Sequence, residues 1–222
     1  MTAAAIAEDM GRLANPAGPI IDRQPSKLLS AMLQRISGGR RITVLDVGPA
    51  LSETVEFFSR YHCRLHFVDL IDEPFLQPRE PKKRLSQQQL SKCFTDHLAL
   101  PEGTQLDICL FGDFLNFLDD TALRAFNSAL RPYLHSGTRA HGFGVHHRAV
   151  KLEYRQYGII RHDTVSVRKR NNSALKYQPH SQIEVAEMLS GFAFERGLLL
   201  PNGKLEMILH SKPGPSNDGG GG

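Results

Sequence analysis

Two strand-end acids and one glycine turn carry the chemistry that can be read from this sequence. Asp69 closes the apolar run Leu65 to Val68, and a carboxylate there has the acceptors to hold two ribose hydroxyls. Asp113 and Asn116 follow the run Leu106 to Phe111, where they can meet a donor or an acceptor. Between them in importance stands the turn Gly48-Pro49-Ala50-Leu51-Ser52-Glu53. A strand that ends in glycine and leads into a helix is a seat for a nucleoside. The dinucleotide fingerprint needs three spaced glycines, and only the first is here. Pro49 removes an N–H donor. Glu53 and Glu56 suit the start of a helix but repel a pyrophosphate. On charge, a phosphate-free nucleoside fits better than NAD.

Other candidates have plainer readings. His141, His146 and His147 have no cysteine or carboxylate at a metal-ligand spacing, so no metal is expected. They read as strand-end histidines facing a cleft, and one of them, with His146 as the candidate, can serve as a general base. The runs Lys82-Lys83-Arg84 and Arg168-Lys169-Arg170 can meet phosphates, although such runs are usually solvated loops. Tyr154, Tyr157 and Tyr177 near the second run suit base stacking, but packing within a small insertion is the preferred reading.

The elements that must position these residues follow from periodicity. Ser26 caps a helix with an apolar stripe of Leu28, Leu29, Met32, Leu33 and Ile36. Residues 42–47 form a strand, Leu51, Val55 and Phe58 recur at helical spacing, and 65–68 form the next strand. Residues 71–84 hold Pro74, Pro78 and Pro81 and make a loop. Residues 86–98 favour a helix, with a short strand near 93–95 as the alternative. A strand at 106–111 follows, then a helix capped by Asp119 or Asp120, then a strand over 138–145. Residues 148–180 read as an insertion at the carboxyl edge. Ser181 and Glu184 form a capping box, and Asn202-Gly203 between apolar runs signals a closing hairpin. Strand–helix alternation predicts an α/β fold.

With the elements in place, the stretch VLDVG with an acid after the second strand, LDICLFGDFLNFL as the fourth strand, and the final LLLPNGKLEMIL resemble class I S-adenosylmethionine-dependent methyltransferases. The resemblance spans roughly Ser26 to His210 and implies a Rossmann-like, seven-stranded, mostly parallel sheet with helices on both faces and a C-terminal antiparallel hairpin. It implies S-adenosylmethionine as cofactor, with Asp46 and Gly48 beginning the donor loop. Ala50 stands where the family usually has glycine, and Asp69 matches the ribose acid. Asp96 matches the acid near the adenine amino group if residues 93–96 form a strand. Asp113 and Asn116 face the transferred methyl. The glycine motif is degenerate. No tetrad for amino methylation and no Pro-Cys pair for base C5 chemistry is present, so the acceptor stays open among small molecule, protein and RNA. A catalytically inactive scaffold on the same fold is the alternative reading, and RNA binding a weaker one.

Length and composition fit these readings. The chain has 222 residues, 41% hydrophobic and 23% charged, with a net charge of +4. That suffices for one domain with its own core. The expected organisation is a loose arm over 1–24, the methyltransferase-like domain over 25–211 and a glycine-rich tail over 212–222. Three scattered cysteines read as reduced thiols in a cytoplasmic protein. Glu8 and Asp9 argue against a secretory signal, and no apolar run approaches the ~20 residues of a membrane span.

Overall fold

The computed structural model describes residues 19–212 apart from 35–38, 79, 148, 171–174 and 202. Residues 213–222 of the expected tail, residues 1–18 of the expected arm, Ile36 and Asn202 lie outside the described residues.

Six strands form the main sheet in the order β3-β2-β4-β5-β9-β8. These are β2 (Ile42–Asp46), β3 (Cys63–Phe67), β4 (Leu106–Gly112), β5 (Leu134–Val145), β8 (Phe192–Leu199) and β9 (Lys204–Ser211). β2 pairs parallel with β3 and β4, and β4 with β5; β9 runs antiparallel to both β5 and β8. The parallel strands read as apolar runs because both faces are covered. One face packs on α1 (Lys27–Leu33) and α2 (Ser52–Phe58), through Leu29, Met32, Phe57 and Phe58. The other packs on α3 (Gln87–Leu98), α4 (Asp120–Leu130) and α5 (Gln182–Met188), through Phe94, Phe126 and Val185.

Among the described residues the main sheet has no seventh strand. It would flank β3, but the described residues of 71–85 contain only turns, a bend, a short 3-10 turn and irregular backbone, and α3 follows. Three prolines withhold amide donors from any ladder there. A capping box then commits the chain to helix, with the Ser86 side chain accepting from Gln89 N and Gln89 Oε1 accepting from Ser86 N. Residues 93–96 are therefore helical, and the conditional match of Asp96 fails.

A second sheet, β1-β7-β6, is built from β1 (Ile20–Pro25), β6 (Arg155–Arg161) and β7 (Thr164–Lys169), all antiparallel. The expected insertion is thus a β-hairpin. Residues 20–24, expected in a loose arm, are instead its third strand. Pairing with β7 satisfies backbone groups that an arm would leave to water. The sheet docks on α2 and on the carboxyl edge of the main sheet. Ile159 and Val165 join the core of Phe57, Phe58 and Phe143, and Ile159 N donates to Thr54 Oγ1 at 3.0 Å. Among the described residues no helix is long and apolar enough to cross a membrane. The three cysteines are free.

Candidate functional site

The carboxyl ends of β2, β3 and β4 lie side by side, and each carries or is followed by an acid. Asp46 ends β2 and is buried. Its Oδ1 accepts from Gly48 N at 3.0 Å, which closes the tight turn into α2. Burial pushes its pKa from 3.8 up to about 8; the Gly48 N–H opposes this, and nearby Asp69 adds to it. Asp113 follows β4 and is 1% exposed. Burial raises it to about 7 against the pull of Lys204, Arg155 N–H and the Tyr157 hydroxyl. Its Oδ2 accepts from Arg155 N and from Tyr157 Oη, both at 3.3 Å, while Oδ1 is buried with no hydrogen-bond partner.

The hairpin supplies what sits over these acids. Arg170, whose side chain is 4% exposed, reaches both oxygens of Asp69 through Nη1 at 2.8 and 2.7 Å, and its Nη2 pairs with Asp72. Arg168 forms a fork on Glu53, Nε to Oε1 and Nη2 to Oε2, each at 3.0 Å. The Ser166 hydroxyl donates to Glu53 as well. Burial works to raise Glu53, but these donors outweigh it and hold the carboxyl at about 2. The Tyr157 ring covers Gly112, whose φ is +52° and where a Cβ would lie 3.2 Å from Tyr157 Cδ2. Gly158 lets the hairpin close on α2, since a Cβ there would lie 2.6 Å from Glu53 Cγ.

Little space is left. The cavity at Gly48, lined by Asp46, Pro49, Gly112, Tyr154 and Tyr157 among others, measures about 30 Å³. That suits about one or two waters, whereas ligand sites usually run to roughly 300 Å³ or more. In this conformation the space is too small for a nucleoside, and both oxygens of Asp69, the expected ribose acceptors, are engaged by Arg170.

Asp46, Gly48, Asp69 and Asp113 therefore converge at one edge, while four other candidates do not serve it. Ala50 is exposed and does not line the cavity. Asp96 is exposed on α3 and pairs with Lys92 at 2.9 Å. Asn116 is buried, and its Nδ2 is spent on the carbonyls of Asp113 and Phe143 at 3.0 and 2.7 Å. His146 is exposed just past the end of β5. His141 is buried, with Nε2 3.0 Å from Glu206 Oε1, and among the described residues no cluster of His, Cys, Asp or Glu could hold a metal ion. The basic run at 168–170 is not a solvated loop: Arg168 and Arg170 turn inward and Lys169 stays exposed. One signal in the sequence points to this. Ser166, Arg168 and Arg170 share one face of a period-two strand, with Val165 and Val167 on the other.

No family model matches the sequence, and no curated protein does. Solved structures do match. The Burkholderia thailandensis 1,6-didemethyltoxoflavin-N1-methyltransferase, crystallised with 1,6-didemethyltoxoflavin and S-adenosylhomocysteine, is 16% identical with a TM-score of 0.51, over 84% of this chain and 78% of that one. The PH0226 protein of Pyrococcus horikoshii is also 16% identical, with a TM-score of 0.49 over 92% and 99%. A TehB-like SAM-dependent methyltransferase of Corynebacterium glutamicum is 12% identical, with a TM-score of 0.45 over 94% and 97%. At such identities the likeness is one of architecture. The chain has the α/β Rossmann-like fold of class I S-adenosylmethionine-dependent methyltransferases.

Proposed function

We propose that this protein is a methyltransferase-fold protein with a donor site for S-adenosylmethionine under the control of its own hairpin. The donor enters only when Arg168 and Arg170 release Glu53 and Asp69. The observation that carries this reading is the cost built into the edge. Asp46 and Asp113 are buried where ionisation is opposed, and one Asp113 oxygen has no partner. A fold that needed only a scaffold gains nothing from such groups, whereas strained and perturbed groups collect at binding sites. Asp69 is already engaged through both oxygens, as a ribose diol would engage it. The acceptor is left open among small molecule, protein and RNA. The fold's likeness to an enzyme holding S-adenosylhomocysteine supports the donor class.

A second reading has its own support. The small cavity and the six-stranded sheet of the described residues suit a scaffold that has given up catalysis. Calorimetry with S-adenosylhomocysteine separates the two. Wild type and an Arg168→Ala/Arg170→Ala variant, checked for folding by circular dichroism, are titrated side by side. The control reading expects the variant to bind at least ten-fold more tightly than wild type, with binding lost on a further Asp69→Ala. Absence of binding by a folded variant leaves the scaffold.

A further inference from the structure

A second chamber lies one aromatic layer from the donor edge. It measures about 300 Å³, ten times the cavity at Gly48. Phe75 and Leu76 from the proline-rich loop, Leu90 of α3, Phe117, Ala122 of α4 and Leu175 give it apolar walls. Phe117 is shared structure: it meets Tyr154, which lines the cavity at Gly48, edge-on at 5.1 Å between ring centroids. The Phe117–Tyr154 pair is thus the partition between the two spaces.

The polar groups of the chamber define what it would hold. Arg84 and Lys176 line it, both are exposed, and neither pairs with an acid among the described residues. Asp119, also on the wall, is turned to the start of α4, where it accepts from Ala122 N at 2.8 Å. Gln77 lines the chamber too, and its Oε1 is buried with no hydrogen-bond partner. A buried acceptor without a donor is costly, so a ligand that brings an N–H or O–H is favoured there. An apolar body, an anionic group and one donor are the complement of these walls.

We propose that this chamber binds a small aromatic or aliphatic carboxylate bearing a hydroxyl or amine. Its body lies between Phe75 and Phe117, its carboxylate meets Arg84 and Lys176, and its O–H or N–H meets Gln77 Oε1. The binding site stands without the donor reading; only the further step, that its ligand is the methyl acceptor, rests on that reading.

The test titrates the full chain with the fluorescent probe 6-hydroxy-2-naphthoate and with its neutral amide. The carboxylate is expected to bind at least five-fold more tightly than the amide. Arg84→Gln and Lys176→Gln should each weaken it by roughly two- to five-fold, the range of an exposed ion pair. Thr121→Trp, placed at an exposed position on the chamber wall, should block it. Lys92→Gln, on α3 but away from the chamber wall, should leave probe binding unchanged, and the titration is run without S-adenosylhomocysteine, which keeps this result separate from that of the donor titration. Equal binding of acid and amide, unaltered binding by Thr121→Trp, or no binding at millimolar probe overturns the proposal.

Discussion

Asp46→Asn should make the protein less sensitive to rising pH, and the size of the effect can be worked out. The carboxyl titrates at 3.8 in the unfolded chain and at about 8 in the folded protein, because burial disfavours its charge. A folded-state pKa raised in this way adds stability that is fully present below pH 3.8 and is lost as pH rises toward 8. Between those limits the unfolded chain releases one more proton than the folded one. Stability then falls by about 1.4 kcal/mol per pH unit from this group alone. Asparagine keeps the Oδ1 that accepts from Gly48 N and carries no charge at any of these pH values. The stability difference between Asp46→Asn and wild type should therefore grow in favour of the variant, by roughly 2–3 kcal/mol between pH 5 and pH 7. Using a difference between two proteins cancels the opposing contribution of Glu53, which is held at about 2 and titrates lower. Urea unfolding at pH 5, 6 and 7 measures it. A flat difference across that range would refute the burial argument, and with it the cost on which the donor reading stands.

Arg170→Ala should lower stability by about 1–3 kcal/mol, less than a fully buried pair because Asp69 and Asp72 are 23% and 39% exposed. Thermal melting would register it as a drop of a few degrees; an unchanged melt means the hairpin contact is weak. Glu206→Ala should cost about 3 kcal/mol or more, since Glu206 Oε1 accepts from the Ser26 hydroxyl and from Leu28 N and Leu29 N and lies against His141. A loss under 1 kcal/mol in urea would contradict that. Gly112→Ala should cost about 1–2 kcal/mol for a left-handed backbone and loosen Tyr157 above it, so that β6 amides exchange hydrogen faster than in wild type.

The elements legible in the sequence were those whose signal is local. β2, α2 and β3 follow from a switch of apolar period from strand to helix, and Asp69 was legible because it directly ends a run. The capping box at Ser181 was equally local. The strand count of the described residues differs from expectation because the resemblance implied seven strands with 93–95 as the optional one, whereas the Ser86 box commits that segment to helix. The closure of the cleft was hidden for a different reason. Arg168 and Arg170 contact partners about a hundred residues away, and a basic run reads the same whether it faces water or Asp69. Asn116 illustrates the same limit from the other side: its position after β4 suggested a ligand, but its amide turned out to be committed to two carbonyls.

The pairing of β1 with β7 has a mechanical consequence. The hairpin that covers Asp69 is not a free flap, because its second strand, β7, is zipped to β1 at the start of the described chain along five residue pairs. Ser26, directly after β1, donates its backbone N–H to Asp163 O at the hairpin turn and its hydroxyl to Glu206 in the central core. Lifting the hairpin means either unzipping β1 or carrying it along, and in the second case the strain falls on Ser26. The segment before α1 is thus a handle on the cleft. A load, a tag or a partner attached ahead of Ile20 acts on the same sheet that holds Arg168 and Arg170 in place.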